Sequence, residues 1–472
     1  MQMIAKTVAR LANFDRPPLG ISALAASRPR RRVLCGLALL LIVMCFVTPP
    51  FQSPDEHRHF FRAYQLSEGV LLPYPLQTNM QEGTTVQALH ASVGGTLPRA
   101  IDVLLVATHA DRLRFNPNER LRAADLISAL AIKVDANDRV FFRFPHETPF
   151  PPYAFSPQVA GILLAHAFTD RILIQFYAAR LVNAIFALTL VWLALLLVPD
   201  AWPICLAFCS LPVVSFQIGS SSPDAILLGA SILFAATLFV GSVGWTRWVQ
   251  GASLSLLTIK PFYAPVALLA LVDSESKFMS RLGLVVVSLL PGALWLALVS
   301  GLIVAVRTDV DFDASRQLAG VLHDPINYLR LAAEDLVVNG TWYAQSMIGV
   351  LGWLDRPLPT PHLLFGYTLA VISPALCDVK RSHPSNWLVL ILACVLSTAA
   401  IQLALYLSFS IVGTQAIYGV QGRYFLPLFV LVLFATRGLL IVRHTWMLGG
   451  FVTAIAVSAL LTMHFIIGSY YE

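Results

Sequence analysis

Ser53-Pro54-Asp55-Glu56-His57-Arg58-His59 gathers carboxylates, imidazoles and a guanidinium in a chain where only 12% of residues are charged. Carboxylates and imidazoles move protons near neutral pH, so the segment is a candidate for acid–base chemistry. The string also reads as a helix start, with Ser53 as N-cap, Pro54 at N1 and Glu56 at N3 of a capping box. Asp55 then stands at N2, where the helix dipole favours its ionised form and keeps it available as a base or a metal ligand. Asp55, His59 and Arg62 follow i, i+4, i+7 spacing and share one helix face.

Three further segments carry charge into apolar surroundings. Ser221-Ser222-Pro223-Asp224 puts a second carboxylate at a helix start; alone it reads as a cap. Lys260 interrupts two apolar runs at Thr258-Ile259-Lys260-Pro261-Phe262-Tyr263. A lysine so placed either snorkels to the surface or sits in a polar cavity, where it suits an anionic phosphate. In Gly419-Val420-Gln421-Gly422-Arg423-Tyr424-Phe425, Arg423 offers a planar fork of donors matched to phosphate oxygens, with Gln421 and Tyr424 beside it. Gly422 would let the backbone approach a ligand closely. The plainer reading of this segment is an interfacial Arg/Tyr anchor. Arg180 is a weaker phosphate candidate. The His and Cys spacings form no recognisable zinc site, and the six cysteines lie in or beside apolar runs, which implies no disulfide framework.

These residues must be positioned by membrane helices. The chain is 57% hydrophobic, with a mean hydropathy of +0.72, too apolar for a soluble protein of 472 residues. The net charge of +6 lies largely in short links, as the positive-inside rule expects, and does not point to nucleic acid. Span lengths and flanking charges predict an all-α polytopic protein of about eleven helices (10–12). The spans are Val33–Val47, Ile172–Val198, Pro203–Gly219, Ala225–Val243, Gly251–Ile259, Phe262–Val272, Leu282–Val306, Pro361–Leu376, Trp387–Ile411, Phe425–Val442 and Trp446–Ile467. Residues 1–32 form a cytoplasmic segment, and residues 33–472 one transmembrane domain with large outside loops at 48–171 and 307–360. Ala154–Phe168, within the first loop, has the length of a re-entrant or interfacial helix. Lys277, Arg281, Lys380, Arg381, Arg437, Arg443 and His444 then fall inside, while the first loop, Asp224, Asp309–Asp313 and Gln421–Tyr424 fall outside.

Pro54-Asp55-Glu56 with His59, Ser-x-Pro-Asp224, Lys260-Pro261, Ile348-Gly349-Val350-Leu351-Gly352-Trp353-Leu354-Asp355 and Gln421-Gly422-Arg423-Tyr424-Phe425 resemble, in order and over about Leu34–Leu440, the bacterial membrane-protein family called domain of unknown function 2142. That family is similar in turn to GT-C-type membrane glycosyltransferases, which use a sugar carried on polyprenyl phosphate. They share a carboxylate after the first helix and a second acid between the third and fourth, the positions of Asp55 and Asp224 here. The resemblance implies a bacterial inner-membrane enzyme with its amino end in the cytoplasm and its site in the periplasm. Its partners would be a polyprenyl-phosphate-linked sugar donor, a glycan or glycolipid acceptor and the lipid bilayer. In this reading Asp55 is the base, Glu56 and His59 position it or the acceptor, and Arg423 and Lys260 hold the donor phosphate. The resemblance fixes no cofactor and leaves a divalent metal open, although Asp224 is a single acid and not an acidic pair. The alternatives are a transporter, flippase or polymerase for lipid-linked glycans, or a scaffold in a polysaccharide assembly complex.

Overall fold

The computed structural model describes residues 28–76, 93–240, 244–272, 276–302, 313–377, 387–440 and 445–472. The fold is mostly helical. By length and composition, four helices among the described residues can cross a membrane: Ile172–Leu197, Phe278–Leu302, Trp387–Phe409 and Trp446–Tyr470. A fifth passage is available if the pair Pro199–Cys209 and Pro212–Ile218 counts as one. Each of the other expected spans also meets a helix, but Asp224–Thr237, Pro261–Ala270 and Gly422–Ala435 are short.

The core is the helix Asp224–Thr237, all of whose residues are buried. A helix that is apolar all round has no solvent face to present. It packs on Ile172–Leu197, Trp245–Leu257 and Leu426–Ala435. Gly229 allows a close approach to Ile172–Leu197, since a Cβ there would stand 3.0 Å from the Ala187 carbonyl oxygen.

Several expectations need correction. The third span is not straight: its halves meet at 91°, next to Pro212, which cannot donate into the preceding turn and pushes Leu211 to ψ 137. The chain is not all-α. The first loop carries a three-stranded antiparallel sheet, Tyr74–Pro75, Val93–Pro98 and Arg139–Arg143, with Gly94 opposite Arg143 and Pro98 opposite Arg139. Arg-Val-Phe-Phe-Arg has the β-branched and aromatic content that a pleated surface favours. The second loop, expected only as a large outside loop, contains the helices Ala314–His323 and Pro325–Ile348, each started by an aspartate, Asp313 or Asp324, that caps backbone N–H groups. A hairpin of Val350–Leu351 and Arg356–Pro357 follows. The apolar stretch at Ala154–Phe168 is a short turn and the helix Ser156–His166. It lies so close to Ile172–Leu197 that a Cβ on Gly161 would meet the Ala178 carbonyl oxygen at 2.4 Å. Asp309–Val310–Asp311–Phe312, Asp378–Arg381 and Arg443–His444 lie outside the described residues.

The first loop is stitched to distant helices. Trp295 Nε1 donates to the Thr148 carbonyl at 3.0 Å. Leu121 N–H donates to Tyr470 O at 2.7 Å.

Candidate functional site

The turn before helix Glu56–Ser67 departs from the expected capping box. The helix begins at Glu56, and Asp55 precedes it in the left-handed region, φ 61 and ψ 7, with no side-chain cap bond. Ser53 supplies only its carbonyl, which accepts from Glu56 N–H at 3.1 Å. Aspartate tolerates this conformation better than most residues, at a cost of roughly 1–2 kcal/mol. The strain frees the Asp55 carboxyl from capping and leaves it a third exposed.

Glu56 is tied to Arg180. Nε and Nη2 of Arg180 donate to the two Glu56 carboxylate oxygens at 2.7 and 2.6 Å. The remaining N–H groups donate to the carbonyls of Cys45, Thr48 and Pro49 at 2.6–2.9 Å. Both side chains are fully buried, and all five guanidinium donors are spent, so Arg180 has none left for a phosphate. Glu56 also accepts from Ser221 N–H at 2.8 Å, and Asn183 Nδ2 donates to the carbonyls of Ser220 and Ser222. Ser222 Oγ accepts from Asp224 N–H at 3.2 Å. The Glu56–Arg180 pair thus fixes the loop from which Asp224 projects.

Asp224, Lys260, Arg423 and Asp55 form one ionic chain. Lys260 Nζ lies 2.5 Å from Asp224 Oδ1. Arg423 Nη1 is 3.7 Å from Asp224 Oδ2, and its Nη2 is 3.5 Å from Asp55 Oδ2. Arg58 Nη1 stands 3.7 Å from Asp55 Oδ1. Asp224, Lys260 and Arg423 are nearly buried. Arg423 contrasts with Arg180: its contacts are long for charge-assisted bonds, and its Nε has no partner among the described residues. The Tyr424 ring faces both cations, 5.2 Å from Lys260 Nζ and 5.4 Å from the Arg423 guanidinium carbon. Its carbonyl accepts from Tyr263 Oη at 2.8 Å. Gln421 stands just before this turn, its buried Oε1 without a partner among the described residues. The expected role of Gly422 changes: it admits a neighbouring helix. A Cβ there would lie 2.0 Å from Tyr343 O and 2.2 Å from Met347 N, and its N–H donates to Ser346 Oγ at 2.9 Å.

Burial by itself would raise the Asp55 carboxyl, but the guanidiniums of Arg58 and Arg423, with His59 and His146, hold it well below the usual carboxylate range. Burial pushes His59 down to about 4, against the pull of Asp55 and Asp224. It also takes His146 down to about 4, helped by Arg58, and carries Glu147 up to about 8. At neutral pH the imidazoles are uncharged. Arg58, Lys260 and Arg423 then face two ionised aspartates, an excess of one positive charge.

The structure therefore brings Asp55, His59, Asp224, Lys260, Arg423 and Tyr424 together, with Gln421 at the edge. His59 packs against Phe150 and Phe155. Arg62 turns elsewhere, to Gln65, the Leu71 carbonyl and the Trp295 ring. Helix spacing alone could not foresee this, because Asp55 lies outside the helix. Sequence reasoning quoted Arg58 and Tyr263 within their segments but gave them no role, and it passed over His146 and Glu147; the His-Glu pair in Pro145-His146-Glu147-Thr148-Pro149 was the available signal. Among the described residues no three His, Cys, Asp or Glu side chains are arranged to hold a metal ion. The two aspartates share Arg423 and do not face each other as metal ligands, so no step is derived through a metal.

No curated protein and no solved structure matches the chain. A family model for predicted membrane proteins matches residues 37–432, which agrees with the several apolar helices and a multi-pass membrane location. By that match the chain belongs to the family of predicted membrane proteins DUF2142.

Proposed function

We propose that the protein is an integral membrane glycosyltransferase of the bacterial inner membrane. It moves a sugar from a polyprenyl-phosphate carrier to a surface glycan or lipid-linked acceptor on the periplasmic side. The observation that carries this reading is the unsaturated Arg423 held between Asp55 and Asp224. A guanidinium with long contacts and a free donor is poised for an anion, beside a carboxylate that is accessible and ionised.

Eleven passages with the amino end inside suit the contacts. Arg247 donates to the Ser280 carbonyl, which sets the start of helix Trp245–Leu257 level with that of Phe278–Val299, at the end this reading takes as the inner side. Lys260 beside Asp224, Thr148 beside Trp295 and Leu121 beside Tyr470 gather the opposite ends, which this reading takes as the outer side.

In the reaction the acceptor hydroxyl gives its proton to Asp55 as its oxygen bonds to the sugar's anomeric carbon. The bond from that carbon to the phosphate oxygen breaks, and its electron pair leaves on polyprenyl phosphate. Arg423 and Lys260 stabilise that growing charge. With one carboxylate acting as base and no covalent intermediate, the anomeric centre inverts, by analogy with glycoside hydrolysis. When the phosphate engages Arg423, the guanidinium's hold on Asp55 weakens and Asp55 becomes a stronger base.

The test compares surface glycans of a deletion strain complemented with wild type, Asp55→Asn or Arg423→Ala at matched protein levels, by mass spectrometry. A single sugar missing in both variants is expected. Unchanged glycan in both overturns the catalytic reading, and accumulated lipid-linked glycan with no sugar missing points to transport or polymerisation.

A further inference from the structure

The described non-glycine residues with left-handed backbone are Phe51, Asp55, His109, Phe115 and Leu354. They are far apart in sequence but lie on three loops that hold one another. Gln52 Nε2 donates to the Ala110 carbonyl at 3.0 Å. Trp353 Nε1 donates to the Phe51 carbonyl at 3.2 Å. Asp355 accepts from Phe115 N–H at 3.1 Å and from Trp353 N–H at 2.9 Å. Arg356 donates to the carbonyls of Leu113 and Asn116. Strained backbone gathered in this way marks sites that clamp ligands.

What the loops display is an aromatic and cationic platform. The Phe115 ring is 63% exposed, although it sits on a strained residue. Displaying a phenyl ring in water on unfavourable backbone is doubly costly without a contact for it. Its centroid is 6.2 Å from that of Trp353. The Arg114 guanidinium lies 4.8 Å from the Trp353 centroid and 5.5 Å from that of Phe115. His57 stands 5.4 Å from Trp353 and two residues along the chain from Asp55, so the platform borders the carboxylate of the ionic chain.

We infer that Phe115, Trp353, His57 and Arg114 bind a pyranose ring of the acceptor glycan and deliver its hydroxyl to Asp55. The C–H face of the sugar packs on the aromatic rings, which bury apolar area without losing much side-chain freedom. The Arg114 donors meet its hydroxyls. Arg114 is the one charged side chain of the platform, and its link to the ionic chain runs through His57 and Asp55, so the platform suits a neutral sugar and not the donor phosphate. This assignment of the acceptor rests on the transferase reading.

The test uses the full chain in detergent, lipid-linked donor extracted from cells, and as acceptor the surface glycan extracted from the deletion strain. Phe115→Ala removes an exposed ring that makes no side-chain hydrogen bond and should fold; Trp353→Phe keeps an aromatic face but gives up the bond to the Phe51 carbonyl, so its melting temperature is measured beside wild type. Phe115→Ala is expected to raise the KM for the glycan about tenfold while the donor KM stays put, with Trp353→Phe intermediate. Transfer with an unaltered glycan KM overturns the platform and leaves the transferase standing. If no variant or wild type transfers, binding of the glycan to immobilised protein decides. Binding that is lost in Phe115→Ala keeps the platform and removes the transferase; equal binding, or none to wild type, overturns the platform.

Discussion

Asp55 and Arg423 approach to 3.5 Å without closing on each other. Two oppositely charged groups free to move would shorten that contact. They are held apart because Asp55 is fixed by its left-handed turn and Arg423 by Gly422, wedged against the backbone at Tyr343 and Met347. The gap keeps a donor free for a third group.

Arg423→Lys tests whether the planar fork matters or only the charge. An ammonium would still pair with Asp224 or Asp55, but it could not span both and a phosphate. Transfer in the extract assay is expected to fall by about 10²-fold, the scale of losing one positioned donor at a developing oxyanion. A variant within a factor of a few of wild type would show that charge alone suffices.

Glu147 predicts how stability responds to pH. Burial raises its carboxyl from 4.5 to about 8, so between those values the folded chain holds a proton that the unfolded chain has lost. Its contribution is therefore full below about 4.5 and is lost as pH rises through 8, by at most about 1.4 kcal/mol per pH unit. His59 and His146, lowered to about 4, act the other way, losing stability as pH falls from 6.5 to 4. Glu147→Gln should flatten only the alkaline decline in melting temperature between pH 6 and pH 8, measured in detergent. An unchanged decline would mean that Glu147 is ionised in the fold.

Glu56→Gln should damage folding more than Asp55→Asn, although the residues are neighbours. It leaves Arg180 charged and fully buried with half its carboxylate pairing gone, and breaking a buried pair costs about 3–5 kcal/mol. Low yield and a lowered melting temperature are expected for Glu56→Gln, and near-normal values for Asp55→Asn. Equal stability of the two would remove the structural role given to Glu56.

Much of this site was legible because charge is scarce in an apolar chain. Asp55, Asp224, Lys260 and Arg423 stood out by type alone, and the structure brings them together. Their partners were harder to see. The expected face-sharing of Asp55, His59 and Arg62 assumed helix through Asp55, and the left-handed turn breaks that geometry. Arg180 looked like a phosphate ligand because sequence does not disclose that five acceptors already surround it. The strands of the first loop and the bend at Pro212 depend on long-range pairing and packing, which local apolar pattern does not record. The short helices at Lys260-Pro261 were anticipated because proline removes a backbone donor.

Gly422→Ala separates the scaffold of Arg423 from its chemistry. A methyl group there would sit within 2.2 Å of two backbone atoms of helix Pro325–Ile348, and backbone cannot swing aside as a flexible side chain can. Overpacking of this kind typically costs about 1–3 kcal/mol, and relief requires the Gln421–Phe425 turn to lift away from the helix. Arg423 then leaves its position between Asp55 and Asp224. The expected outcome is a lowered melting temperature together with a loss of transfer approaching that of Arg423→Ala, although no charged group has been altered. Arg423→Ala leaves the turn and the helix contact of Gly422 in place, so it should melt above Gly422→Ala while losing transfer at least as fully. A Gly422→Ala protein with full activity would show that Arg423 tolerates displacement, and the argument from its placement would fail.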